Sequence, residues 1–143
     1  MKSGETFLRV RYKDTDQMGV AYYGNYFVWF EVGRTEFFRG LGMSYKELEQ
    51  NNLYLPVIRA SCQYKTPAHY DDLLKLVTRL SALSDVRLTF TYDIYREEKL
   101  LAFGETEHAF INQKGRPVVL RRQNPFLWRL LKDKVHESLE SER

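Results

Sequence analysis

Cysteine is nearly missing from this chain. Cys62 stands alone, so no disulfide can form within the chain, and a reducing compartment, the cytoplasm, fits best. The three histidines, His69, His108 and His136, are scattered without metal-ligand spacing, and no metal or redox cofactor is expected. No apolar run reaches the roughly 20 residues that a membrane helix needs. The opening MKSGETF lacks the apolar core of a signal peptide. Charge of one sign is also in short supply: the net charge is +3, without a dense Lys/Arg stripe. That excludes nucleic acid as the expected partner and leaves room for a small anionic ligand.

What the chain does have is aromatic mass, with ten Tyr and nine Phe among 143 residues. A disordered chain would not carry it, and a single domain over residues 1–143 is long enough to bury a core without staples. The aromatics concentrate in one stretch, YKDTDQMGVAYYGNYFVWFEVGRTEFFRGLG, from Tyr12 to Gly42. It opens on Asp14 and Asp16 in a turn-rich segment and runs into a long helix. Tyr26, Phe27, Val28, Trp29, Phe30, Val32, Phe37, Phe38 and Leu41 cover more than one stripe, the pattern of a helix buried on most sides. Glu31 lies among them. Asn25 is the expected N-cap, and Gly40 and Gly42 supply the stop. An acid therefore stands one short loop away from a helix N-terminus.

The remaining segments follow in order. Phe7 to Tyr12 alternates as a short strand leading into the acidic turn. Ser44 with Glu47 forms a capping box for a short surface helix ended by Asn51 and Asn52. Leu53 to Tyr64 is extended, with Pro56 tolerable only near its start or on an edge. After the polar turn TPAHYDD, two alternating runs, Leu74–Leu83 and Arg87–Tyr95, read as a long hairpin turning at Ser84-Asp85. A second corner at Glu97-Glu98-Lys99 leads into Leu100–Asn112, where Gly104 predicts a bulge or a close backbone approach. Arg116–Leu120 is expected to add a last short strand. Asn124-Pro125 then opens an amphipathic closing helix, apolar at Phe126, Leu127, Leu130, Leu131, Val135 and Leu139 and frayed at SLESER. The order of elements is α+β, a long helix packed on one curved antiparallel sheet.

The run DTDQMGVAYYGNYFVWFEVGRTEFF, followed by YKTPAHYDDLLKL, resembles the hot dog fold acyl-CoA thioesterases of the 4-hydroxybenzoyl-CoA thioesterase type, including the group found with the Tol-Pal envelope system. D-x-D-x-x-G-x-x-Y-x-x-N-Y is the more specific part, with P-A-x-Y-D-D adding to it. The resemblance implies a long helix wrapped by the sheet, subunits joined edge to edge as a homodimer or a dimer-based homotetramer, and an acyl-CoA substrate. It places the catalytic aspartate at Asp16, as nucleophile or as general base on water. It gives the residue at Tyr23 a main-chain role in polarising the substrate carbonyl. The Tol-Pal-associated group usually has His at that position, so a side-chain proton role does not carry over.

Thioester hydrolysis needs an activated oxygen nucleophile and donors for the charge that grows on the carbonyl oxygen. The thiolate needs little protonation to leave. Asp16 supplies the first requirement, and the N–H groups from Tyr23 through Gly24 to Asn25, at the positive end of the helix, supply the second. Asp14 is assigned to the turn itself. Arg59, Lys65 and Arg87 are the bases expected to meet the phosphates of coenzyme A. Two alternatives share the fold: an acyl-carrier-protein thioesterase and a non-hydrolytic acyl-CoA binding protein. A dehydratase of this fold needs a His in the loop entering the helix, and none occurs between Met1 and Tyr54.

Overall fold

The structure is a computed structural model that describes residues 4–141, with side chains to residue 137. Five strands form one antiparallel sheet: β1 (Glu5–Arg9), β2 (Val57–Tyr64), β3 (Leu73–Leu83), β4 (Arg87–Arg96) and β5 (Lys99–Ala109). They lie in the order β1-β3-β4-β5-β2. The two hairpins turn where the sequence places them, between Leu83 and Arg87 and at Glu97-Glu98. Strict alternation along β3 and β4 sends Leu74, Leu76, Leu80, Leu88, Phe90, Tyr92 and Ile94 to one face, where all are buried.

That face carries α1 (Asn25–Gly40), which lies across β1 to β4. The buried helix residues are Tyr26, Trp29, Phe30, Gly33, Phe37 and Phe38, a single stripe at helical spacing. The expectation of burial on most sides is therefore corrected for the single chain. Val28 is 53% exposed and Glu31 is exposed, because the sheet covers only one side of the helix. Phe30 stacks on Tyr92 with centroids 4.3 Å apart and planes 8° from parallel. A side chain on Gly104 would strike both the Ser61 carbonyl oxygen and the Phe30 ring. Gly104 is thus a close approach, while the register shifts of β5 against β4 occur elsewhere, at Ile94/Tyr95.

The short helix α2 (Tyr45–Gln50) has the Ser44 cap: Ser44 Oγ accepts the Glu47 N–H at 3.2 Å, but the Glu47 carboxylate meets the Ser44 hydroxyl and not its N–H, so the capping box is half formed. Asn52 ends the segment in the left-handed region, at φ 62°. Near the C-terminus the expected strand over Arg116–Leu120 does not form. Pro117 makes only an isolated bridge to Ile111, and Leu120 starts α3 (Leu120–Gln123), its N–H donating to the Asp85 carbonyl. Asn124 caps α4 (Pro125–Ser141), with Oδ1 accepting the Leu127 N–H at 3.1 Å. The helix packs on β3 through Leu127, Leu131 and, in part, Trp128 and Val135. Phe126, assigned to the apolar face, is 61% exposed instead, because the packed stripe runs through Leu127, Leu131 and Val135 and leaves it to one side. Leu139 lies outside the residues whose side chains are described; the fraying expected at SLESER is corrected as far as Ser141, to which the helix continues, and the last two residues lie outside the described ones.

Candidate active site

The segment between β1 and α1 is a short, heavily bonded loop. After β1 the chain makes one tight turn at Tyr12–Asp14, then doubles back through a bridge between Thr15 and Ala21. Asp14 is buried, its Oδ2 accepting the Arg11 N–H at 2.9 Å, and this is the turn-forming role expected of it. Asp16 is exposed at the tip. Its Oδ1 accepts the Met18 N–H at 2.8 Å, while its backbone bonds to Val20 and Gly19 close the loop. One carboxylate oxygen has no partner among the described residues, so the side chain is oriented yet still able to act as a base.

The helix start corrects one expectation. Gly24, and not Asn25, occupies the N-cap, and Asn25 is the first helical residue. Asn25 donates from Nδ2 to the Asp14 carbonyl at 2.8 Å, so its side chain is occupied by the preceding loop and does not bond the first helical turn. Its N–H donates to the Tyr22 carbonyl. Of the three amides singled out in the sequence, this leaves those of Tyr23 and Gly24 without a protein acceptor among the described residues. They sit where a helix presents partial positive charge. A Cβ on Gly24 would lie 2.8 Å from the Tyr22 ring, which is half exposed and would have to turn aside.

Asp16 and Tyr23 line one cleft of ≈ 320 Å³ together with Val20, Ala21, Tyr26, Tyr64, Lys65, Thr66 and Pro67. The far wall is the TPAHYDD loop, pinned from several sides. Tyr26 Oη accepts the Ala68 N–H at 3.2 Å, and the Ala68 carbonyl accepts the Ala21 N–H. Burial pushes the Tyr26 phenol up. Asp72 accepts both the His69 N–H and an Arg96 N–H at 2.8 Å. Desolvation works against its ionisation, but those donors outweigh it and hold the carboxyl below the usual range.

Of the expected phosphate contacts, only Lys65 lines this cleft; its Nζ stands 5.7 Å from the Phe103 ring centroid. The single chain does not bring Arg59 and Arg87 to it. Arg59 pairs with Glu105 at 3.1 Å and Arg87 with Glu107 at 3.7 Å. Tyr64, Thr66 and Pro67 carry no signal of their own in the sequence that singles them out as site residues, whereas Tyr26 belongs to the aromatic cluster of the helix. The nearest hint is the position of Tyr64 immediately before KTPAHYDD, but only the fold shows that the end of β2 meets the start of α1. No group of three or more His, Cys, Asp or Glu placed to hold a metal occurs among the described residues.

An open antiparallel sheet laid on one long helix, with a carboxylate beside the helix start, defines the hot dog class of thioester hydrolases. The chain belongs to the thioesterase-like superfamily, which matches residues 10–135. The acyl-CoA thioesterase YbgC of Haemophilus influenzae is 30% identical over 118 residues, covering 81% of this chain and 87% of its own. YneP of Bacillus subtilis is 32% identical over 120 residues, 82% of this chain and 87% of its own. A solved DHNA-CoA thioesterase from Staphylococcus aureus superposes with a TM-score of 0.88 at 32% identity, over 97% of this chain and 94% of that one.

Proposed function

We propose that the protein hydrolyses an acyl-CoA or aroyl-CoA thioester to the free acid and coenzyme A, with Asp16 as the catalytic carboxylate. The observation that carries this is the shared cleft: an oriented but partly unpaired Asp16 lines the same space as Tyr23, which stands just ahead of the helix start and whose N–H, like that of the neighbouring Gly24, has no acceptor among the described residues. In the reaction, oxygen attacks the carbonyl carbon, charge builds on the carbonyl oxygen beside those amides, and the C–S bond breaks. Water supplies OH to the acid and H to the thiol, so no metal or redox partner is required. Whether Asp16 attacks directly or deprotonates water, it is the group the chemistry depends on.

Lys65, on the cleft, is the base assigned to the coenzyme A phosphates. A homodimer or a dimer-based tetramer fits β2, an eight-residue edge strand exposing Val57, Ile58 and Tyr64. A monomer in sedimentation at micromolar concentration would exclude it. The chain works as one domain, and a cytoplasmic location agrees with its single free cysteine; no described helix is long and apolar enough to cross a membrane.

The test is a thiol-release assay over acetyl, butyryl, hexanoyl, palmitoyl, benzoyl and hydroxybenzoyl-CoA, with wild type and Asp16→Asn side by side. Turnover of one class, lowered at least about 10³-fold in Asp16→Asn, is expected. Full turnover by the variant overturns the role of Asp16. A folded wild type that releases no thiol from any CoA ester points to the acyl-carrier-protein or binding-only alternatives.

A further inference from the structure

Tyr64 ends β2 on the rim of the cleft, and its hydroxyl lies 3.0 Å from the carbonyl oxygen of Tyr23, 41 residues away. A carbonyl oxygen can only accept, so the phenol is the donor. The same carbonyl accepts the Tyr26 N–H, but at a long 3.3 Å, which leaves Tyr64 as its closer partner. The ring is held in turn: it stands edge-on to Tyr26, centroids 4.9 Å apart, and to Tyr23 at 6.4 Å. With 46% of its surface exposed, the phenol is still pushed up to about 12, first by desolvation where it meets the protein and then by the Cys62 thiol beside it. It stays protonated, and so a donor, throughout the working range.

The carbonyl of Tyr23 and the N–H of Gly24 belong to one peptide unit. That unit is planar and trans, so its C=O and N–H point in opposite directions. A partner that fixes the carbonyl therefore fixes the direction of the free Gly24 amide, even though it never touches that amide. Tyr23 itself is 62% exposed with no buried side chain to anchor it, so between the bonds that tie Tyr22 and Asn25 to Asp14 the Tyr64 hydroxyl is the side-chain contact that fixes its carbonyl.

We propose that Tyr64 is a positioning residue of the hydrolytic site: its hydroxyl, through the Tyr23–Gly24 peptide plane, aims the Gly24 N–H at the carbonyl oxygen of the scissile thioester. This rests on the thioesterase function proposed above. Tyr64 does not touch the reacting atoms. Its effect is on the rate of the chemical step, because the amide must meet the oxygen where charge develops, more than on the affinity for the ground state.

The experiment compares wild type, Tyr64→Phe and Asp16→Asn in two measurements. In steady-state hydrolysis of the best CoA ester, Tyr64→Phe, which keeps the ring, is expected to lower kcat roughly 10- to 100-fold with KM within about twofold. A raised KM with unchanged kcat would make Tyr64 a wall of the acyl or pantetheine site and overturn the proposal. In amide NMR of the substrate-free protein, the Gly24 ¹H–¹⁵N resonance is expected to move and to exchange faster in Tyr64→Phe, but not in Asp16→Asn. An unchanged Gly24 resonance overturns the proposal whatever the activity. A moved resonance in a protein that hydrolyses no thioester upholds the tether and rejects the hydrolytic function instead.

Discussion

The carbonyl oxygen of Asp14 accepts the Asn25 side-chain amide at 2.8 Å, and it also accepts the Tyr22 N–H at the same distance. Two residues before the candidate catalytic acid, the chain is thus clamped to the first turn of the helix. The acid loop and the helix start behave as one piece, which is what a site built from both requires.

Asn25 can be tested at that clamp. Asn25→Ala removes the donor and is expected to cost about 1 kcal/mol of stability and several-fold in kcat. Asn25→Asp is the more telling change. A carboxylate in the first helical turn ordinarily stabilises a helix, but here it would face the Asp14 carbonyl, so Asn25→Asp is expected to be less stable than Asn25→Ala. Urea denaturation of the two variants measures the order. The reverse order would show that the charge at the helix start outweighs the repulsion from the Asp14 carbonyl, and an Asn25→Ala variant as stable as wild type would show that the clamp contributes nothing.

Gly104 is held to the smallest residue by backbone on one side and an aromatic ring on the other. Gly104→Ala places a methyl group against the Ser61 carbonyl and 2.8 Å from the Phe30 ring. Since the β2–β5 ladder and α1 cannot both yield, a loss of about 3 kcal/mol is expected, the upper part of the overpacking range. Chemical unfolding gives the value directly. Gly115→Ala, at a turn with open space, tests strain alone, from φ 77°.

His108 is fully buried on β5. Its Nδ1 lies 3.0 Å from the Leu55 carbonyl, which can only accept, so Nδ1 carries the proton and Nε2 accepts from Thr106, itself 2.6 Å from the Tyr92 hydroxyl. Desolvation is the first reason its basicity falls below that of free histidine, and the Leu55 bond opposes it. The folded pKa is therefore the lower one. Stability from keeping His108 neutral is fully present above the unfolded value of about 6.5 and is lost as pH falls below it, by up to about 1.4 kcal/mol per pH unit until the folded pKa is reached. Denaturation midpoints from pH 8 to pH 5 should decline below about 6.5 in wild type and less steeply in His108→Gln.

Much of the architecture was legible in the sequence because the signals are local. The Ser44 and Asn124 caps, the alternation of β3 and β4 and both hairpin corners depend on residues within a few positions of one another, and each appears where expected. Arg116–Leu120 failed because its pattern is short and ambiguous, and the Asp85 carbonyl recruits the Leu120 N–H into a helix. The N-cap assignment of Asn25 failed for a related reason. Asn25 has the propensity of a cap, but an acceptor 11 residues away captures its side chain.

By itself, the sequence determined the class of this protein: an α+β chain whose DTDQMGVAYYGNY segment places an acid beside a helix start, within the thioesterase-like superfamily. Only the tertiary structure decided which groups share the cleft. Tyr64 reaches Tyr23 because β2 crosses the sheet to pair with β5, and Arg59 and Arg87 stand apart because β2, β5 and β4 carry them to the acidic side chains Glu105 and Glu107. Periodicity records which way a side chain faces along its own element. Contacts between elements depend on strand order and register, which emerge only when the whole core packs.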